Sequence, residues 1–303
     1  LYAAVKAARD LCLNLGISIP VGKDSCSMRT TWKDGDVDKA VTSPISLIVS
    51  AAGPVSDVRL TVTPELKSVP SRLIAFDFGA KKCRMGGSIL AQVLQNFGSV
   101  TPDFTDTEAL KNFVRLVRGL ADEGILLAYH DRSDGGLATT LCEMMFASHK
   151  GVRVSLDALA DGEVSADEAL SVLFNEELGA VLQVREESLA DVASRAESLG
   201  LTRYYATLGT VTEKDNLEIE AAGKVLLSIP RVRLMRDWSE VTHAMARLRD
   251  NPACADSEFA VATGQKTKGL FVKTTFDAHE RIAAPFVHSS HALSLIHISE
   301  PTR

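Results

Sequence analysis

Apolar residues recur at helical spacing from the start of the chain. Leu1, Val5, Ala8, Leu11, Cys12 and Leu15 share one face, and Gly16 ends the run. Positions three and four apart lie on the same side of an α-helix, so the spacing predicts a helix over 1–15. Ile17–Pro20 reads as a short buried strand. A polar loop with a glycine follows, and then Ser27–Trp32 reads as a strand. Lys33-Asp34-Gly35-Asp36 is a hairpin turn signal. The unbroken apolar run Pro44–Ala52 (PISLIVSAA) reads as a strand buried on both faces.

The composition shifts between Thr63-Pro64 and Pro70, which places a domain boundary between residues 62 and 68. Beyond it the pattern alternates. Arg72–Phe78 is a strand, and Gly86–Phe97 is a helix with Leu90, Val93, Leu94 and Phe97 on its apolar side. Asp106–Asp122 is a longer amphipathic helix that Thr105 or Asp106 can cap. Ile125–Tyr129 is a strand, followed by a helix starting at Gly135-Gly136. Strands Val152–Leu156, Ala180–Arg185 and Tyr204–Val211 alternate with helices near Ser165–Leu170 and Glu187–Leu199. Leu217–Ile219 and Lys224–Ser228 form a hairpin around Gly223. Such alternation predicts an α/β or α+β layered domain over 68–230. Arg231–Arg249 reads as a charged helix, and Asn251–Val287 as an irregular connector.

Composition then narrows the function classes. Of 303 residues, 33 are Lys or Arg and 39 are Asp or Glu, a net charge of -6. A weakly acidic chain carries no electrostatic footprint for nucleic acid or for an anionic lipid surface. No stretch approaches the roughly 20 apolar residues of a membrane span. The five cysteines include no C-x-x-C pair, which speaks against a disulfide framework or a zinc site and fits a reducing, cytoplasmic setting. Cys12 and Cys142 sit in helical apolar patterns as small hydrophobes. His243, His279 and His288 are isolated and read as solvated.

Two loops have the residue types for phosphate chemistry. Val21-Gly22-Lys23-Asp24-Ser25-Cys26-Ser27 joins a close-approach glycine to a charge and a hydroxyl. By composition alone the stronger reading is a hairpin turn in which Asp24 and Ser25 bond their own backbone. It lacks the spacing of a Walker loop. His130-Asp131-Arg132-Ser133-Asp134-Gly135-Gly136 follows a buried strand and opens a helix. Helix N-termini offer unpaired N–H groups and a positive dipole end to phosphates. Carboxylates beside such a place suit Mg²⁺, which is held by carboxylate and phosphate oxygens together. The plainer alternative is a cap supplied by Ser133 or Asp134. A third polar cluster, Phe174-Asn175-Glu176-Glu177-Leu178-Gly179, reads as a turn into the Ala180 strand.

Together, Ile19–Ser25, Ala128–Leu137 and Leu173–Ala180 resemble the second synthetase half of large, single-chain phosphoribosylformylglycinamidine synthase. Arg247–Pro252 and Ala283-Ala284-Pro285 resemble that family's connector toward a glutaminase domain. The resemblance runs from Leu1 to about residue 288. It implies an aminoimidazole ribonucleotide synthetase-like C-terminal α/β domain at 68–230. It further implies the end of an N-terminal-type αβ domain at 1–62 and a helical or extended connector at 231–290. Residues 291–303, ending in LSLIHISEPTR, read as translated sequencing adapter.

The resemblance also implies a reaction. The family converts formylglycinamide ribonucleotide, glutamine and ATP to the amidine, with Mg²⁺ and ATP or ADP bound. By similarity Asp131 is a metal ligand, and Ser133, Gly135 and Gly136 contact a nucleotide. Gly22, Lys23, Asp24 and Ser25 lie by substrate or ATP. The implied partners are these small molecules and two further parts of the same chain, a first synthetase half and a glutaminase domain, so this stretch alone is expected to be inactive. The alternatives are another ATP-using synthetase of the same superfamily and a non-catalytic module that holds a nucleotide.

Overall fold

The computed structural model describes residues 1–23, 28–44, 46–55, 57–160, 162, 164–264, 272–277 and 280. It contains a two-stranded hairpin near the N-terminus and a seven-stranded sheet spanning 71–230.

The N-terminal part begins with α1 (Tyr2–Leu15), which Gly16 ends in a left-handed conformation, φ 72°. The hairpin is β1 (Arg29–Asp34) and β2 (Val37–Thr42), paired from Arg29–Thr42 to Asp34–Val37 around Gly35-Asp36. Every residue of both strands is exposed. Two expectations fail here. Ile17–Pro20 forms no strand, and neither do the described residues of 44–52. Leu47, Ile48 and Val49 are exposed, Ile48 at 89%. An apolar run becomes a strand only where a neighbour completes its backbone hydrogen bonds. No described strand pairs with these residues.

The large sheet is built from β3 (Ser71–Asp77), β4 (Leu126–Arg132), β5 (Gly151–Ser155), β6 (Gly179–Arg185), β7 (Tyr205–Thr212), β8 (Asn216–Ala221) and β9 (Lys224–Pro230). Their order across the sheet is β4-β6-β3-β7-β5-β8-β9. All neighbours are antiparallel except β5 and β8, which run parallel. Successive side chains of a strand point to opposite faces, and both faces of this sheet are covered. Leu73 and Ala75 of β3 join Val181 and Val154 in one core, against α4 (Gly136–Ser148) and α5 (Ala166–Phe174). Ile74 and Phe76 join Leu182 and Val184 in the other core. There they meet α3 (Thr107–Asp122) and α6 (Leu189–Ser198). Burial on both faces explains why β3 and β6 read as unbroken apolar runs although they are antiparallel.

α3 shows how the pattern becomes packing. Ala109, Phe113, Leu116 and Leu120 are its buried residues, spaced four, three and four apart, and the Asp106 carboxylate caps it by accepting from Ala109 N at 3.0 Å. Burying each large side chain contributes about 1.5–3 kcal/mol. Phe113 packs on Phe76 and Phe78 with ring centroids 4.9 and 5.2 Å apart. Buried Gln183 anchors the strand entering β3, donating to the Lys67 carbonyl and Ser71 Oγ and accepting from Lys67 N.

Three more expectations change. The helix over 86–97 shrinks to α2 (Ile89–Val93). Gly86 and Gly87 donate to Val100 and Phe97 carbonyls, folding the segment back on itself, and Gln95 is left-handed. α7 (Arg231–Arg249) forms as expected, but the connector after it is not wholly irregular. α8 (Pro252–Ala262) starts from the Asn251 side chain, which accepts from Ala253 N and Cys254 N, with proline in the first turn. His243 is not solvated in isolation. Its Nε2 lies 2.8 Å from Asp256 and its ring stacks on Phe259 at 4.1 Å, joining α7 to α8.

Candidate functional site

The turn Asp131–Gly136 leaves edge strand β4 and enters α4. The sequence placed His130-Asp131-Arg132 in a loop. Instead β4 continues through them, with Asp131 opposite Ala180 and Arg132 opposite Gly179. Alternation along the strand then decides which side chains face the solvent. Asp131 and Ser133 are exposed, as is Asp134. Arg132 is buried and unavailable to a ligand. Its guanidinium pairs with Asp77 at 2.5 Å and donates to the Glu177 carbonyl at 2.6 Å.

Neither Ser133 nor Asp134 caps α4. The N-cap is Gly135, with no side-chain cap from its own turn. The cap comes from the 174–179 loop, where a Glu176 carboxylate oxygen accepts from Gly135 N at 2.8 Å. The same oxygen accepts from Ile89 N, the first residue of α2, also at 2.8 Å. The amide offered to a phosphate by sequence reasoning is thus held by a carboxylate of the protein.

The Gly-Gly pair has a packing reason. Gly136 is left-handed, φ 66°, and a Cβ built there lies 2.5 Å from the Asn175 carbonyl oxygen and 2.7 Å from that of Leu173. A side chain at that position collides with backbone that cannot move aside. The glycine lets α4 sit directly against the end of α5.

Around Asp131 the titratable groups are paired. Tyr129 Oη donates to the Asp131 carboxylate at 2.5 Å. Burial, and then that carboxylate, push the Tyr129 hydroxyl far above its ordinary range. His130 Nε2 lies 2.9 Å from Glu143, and His130 Nδ1 lies 2.8 Å from the Asp131 carbonyl. Behind the turn, Glu177 is almost fully buried and accepts from Arg84 through Nε, a terminal nitrogen and the backbone amide, at 2.6 to 3.1 Å. Cys83 lies beside this network. Burial, with Asp77 adding to it, pushes its thiol up to about 11, so it stays protonated at neutral pH.

The sequence reading passed over Glu176, Glu177, Asp77 and Arg84 as site-building residues. The available signal was a Glu-Glu pair set between Phe174 and Leu178 just before a buried strand. Of the other loop, Gly22 and Lys23 are exposed and outside any helix or strand. Asp24 and Ser25 lie outside the described residues. The described side-chain hydrogen bonds of the 131–136 turn run to Asp77 of β3, to residues 176–178, to Tyr129 and His130 of β4 and to Thr140 of α4.

For Mg²⁺ and a nucleotide the donor set is lean. Among the described residues, no three of His, Cys, Asp and Glu gather closely enough to hold a metal ion. Asp131 supplies one exposed carboxylate. That fits an ion arriving with phosphate oxygens, which commonly needs only one or two carboxylates, and does not fit a metal held by the protein alone.

Two family models match the chain. Residues 1–54 match the FGAR-AT PurM_N-like domain, and residues 80–222 match the AIR synthase related protein, C-terminal domain. Together with the layered α/β architecture, these matches define an AIR synthase-like fold and support the AIR synthase-like superfamily. Among solved structures, phosphoribosylformylglycinamidine synthase II from Thermotoga maritima matches at 14% identity and a TM-score of 0.46. That match covers 64% of this chain and 28% of the other. Thermotoga maritima PurL complexed with FGAR matches at 14% identity and 0.45, covering 65% and 30%. Escherichia coli HypE, a hydrogenase maturation protein, matches at 20% identity and 0.40, covering 56% and 52%. The chain thus spans less than a third of the length of the PurL chains it matches. No described helix is long and apolar enough to cross a membrane.

Proposed function

We propose that this chain is part of an ATP-dependent amidotransferase that converts formylglycinamide ribonucleotide, glutamine and ATP to formylglycinamidine ribonucleotide. The observation that carries the reading is the order of two family segments. An FGAR-AT PurM_N-like stretch over 1–54 is followed by an AIR synthase-type C-terminal domain over 80–222. On this reading 1–62 belongs to an N-terminal-type domain, 68–230 is the C-terminal-type domain, and 231–290 leads toward a glutaminase. Gly22, Lys23, Asp24 and Ser25 serve the substrate or ATP.

The turn after β4 holds a nucleotide. Asp131 would share Mg²⁺ with the phosphates, and Ser133, Gly135 and Gly136 would contact the phosphates themselves. Support comes from the exposed Asp131 and Ser133, one strand end from a 13-residue helix N-terminus. When bound, the metal would neutralise phosphate charge; the chain's own part is to place one carboxylate beside it.

Calorimetry of the whole chain with ADP and Mg²⁺ tests this. Asp131→Asn keeps the shape and removes the charge. Losing a charged contact of about 1.5–3 kcal/mol weakens ADP–Mg²⁺ binding by roughly tenfold or more. Binding without Mg²⁺ should change little. Equal affinity of wild type and Asp131→Asn for ADP–Mg²⁺ would falsify the metal role of Asp131.

A further inference from the structure

Residues 79–100 join β3 to the region before α3 as a strap with unusual backbone at its root. Ala80, Lys81 and Cys83 all have positive φ, at 49°, 65° and 46°. Non-glycine residues rarely adopt such angles, and holding three in one short stretch costs on the order of 1–3 kcal/mol each. Something must hold the root in place. Asp77 does so in part, its carboxylate accepting from Gly79 N and Lys81 N.

Further out, polar ties join the strap to the described residues around it. Arg84 grips Glu177 and the Asp103 carbonyl. Lys81 Nζ donates to the Ala160 carbonyl. Ile89 N donates to Glu176. The strap also closes on itself through Gly86–Val100 and Gly87–Phe97 bonds. Ser88 and Ala91 face inward, while Val93, Leu94, Phe97 and Val100 are all more than half exposed. A segment with a strained root, a self-contained tip and polar tethers moves as a unit more readily than one packed into a core.

Glu176 is the connection between this strap and the candidate site. One carboxylate oxygen accepts from the first amide of the strap's helix and from the amide of Gly135 at the head of α4. Both bonds are 2.8 Å, so neither is a loose contact. We propose that Glu176 is a latch that fastens the 79–100 strap to the Asp131–Gly136 turn, and that the strap opens when this carboxylate lets go of Ile89. The proposal deepens the nucleotide reading above: an anion that takes the Gly135 amide repels the Glu176 carboxylate, and displacing that carboxylate also breaks its bond to Ile89 and frees the strap.

The test begins without any ligand. Amide exchange across 86–93 and trypsin cleavage after Lys81 and Lys82 are compared in wild-type chain, Glu176→Gln and Glu176→Ala. Exchange of Ile89 N–H should quicken by about tenfold or more in Glu176→Ala, the loss of one hydrogen bond to a charged group, and by less in Glu176→Gln. Strap cleavage should rise in the same order, while exchange in β3 and β6 stays as in wild type. Unchanged exchange and cleavage at the strap in both variants would sink the latch. Parallel loosening of β3 and β6 would sink it too, because Glu176 is then a general stability residue. A second arm adds ADP and Mg²⁺ to wild type. Faster exchange at Ile89 supports the competition, and bound nucleotide with slower or unchanged exchange overturns it. Absence of nucleotide binding defeats the nucleotide reading and the competition, while the ligand-free arm still decides the latch.

Discussion

The two parts of this chain carry similar apolar patterns and meet opposite fates. In the 71–230 sheet, Leu73, Ile74, Ala75 and Phe76 are successive residues of one strand, and all are buried. In the N-terminal part, Leu47, Ile48 and Val49 form a comparable run and are exposed, and the β1–β2 hairpin buries nothing. The difference is not in the residues. β3 has β6 on one side and β7 on the other, with helices over both faces. The 44–52 stretch has neither among the described residues. Hydrophobicity supplies the drive to be covered, but a strand also needs a partner for its backbone and a layer for its face.

That contrast can be broken or sharpened by mutation. The largest expected effect is at the buried ion pair where β3 and β4 end. Arg132→Met removes one partner of the buried Asp77 pair and leaves a carboxylate without its counter-charge. Stranding a buried charge costs about 3–5 kcal/mol. Urea denaturation followed by far-ultraviolet dichroism should show a drop of that size. A loss below about 1 kcal/mol would mean that Asp77 finds water or another donor.

Gly136→Ala should cost less, on the order of 1–3 kcal/mol, from a left-handed backbone and a Cβ pressed on two carbonyls. The same denaturation measurement checks it, and a neutral result would show that α4 can slide away from the end of α5.

A smaller effect depends on pH. His149 ends α4 in a left-handed conformation, φ 54°. Burial, and next the Arg231 charge, hold its imidazole below the ordinary 6.5, while Asp215 works in the opposite direction. The unfolded chain therefore takes up the proton first as pH falls. This contribution to stability is present above about 6.5 and is lost as pH drops through the lower folded value. Asn tolerates the left-handed region and does not titrate. His149→Asn should therefore lose less melting temperature than wild type between about pH 7 and about pH 5. Identical slopes would show that His149 is as free to protonate as in the unfolded chain.

The smallest effect belongs to the N-terminal part. Ile48→Ser replaces a residue that is 89% exposed. Exposed substitutions of this kind change stability by no more than about 0.5 kcal/mol. A loss near 2 kcal/mol would erase the contrast, since it would mean that the run is covered in solution.

Local order along the chain was legible where pattern and partner agree. The amphipathic run over 106–122 predicts α3, and the Asp106 cap is one of the two the sequence offers. The Gly35-Asp36 turn, the turn at Gly223 and the 231–249 helix also follow from short-range chemistry. These features depend on residues a few positions apart, so propensity, capping and turn geometry settle them. What only the tertiary structure decided involves residues far apart in sequence. Arg132 stands among the polar residues of the 130–136 run, but its register opposite Gly179 turns it inward to Asp77. Gly136 has a packing reason that its own neighbours in sequence do not reveal, since a Cβ there collides with the backbone of 173–175. Glu176 looked like a turn residue, but it joins two helix starts that lie 87 and 41 positions away. The fate of an apolar run or a charged side chain depends on what the rest of the fold brings against it, and the run itself does not contain that information.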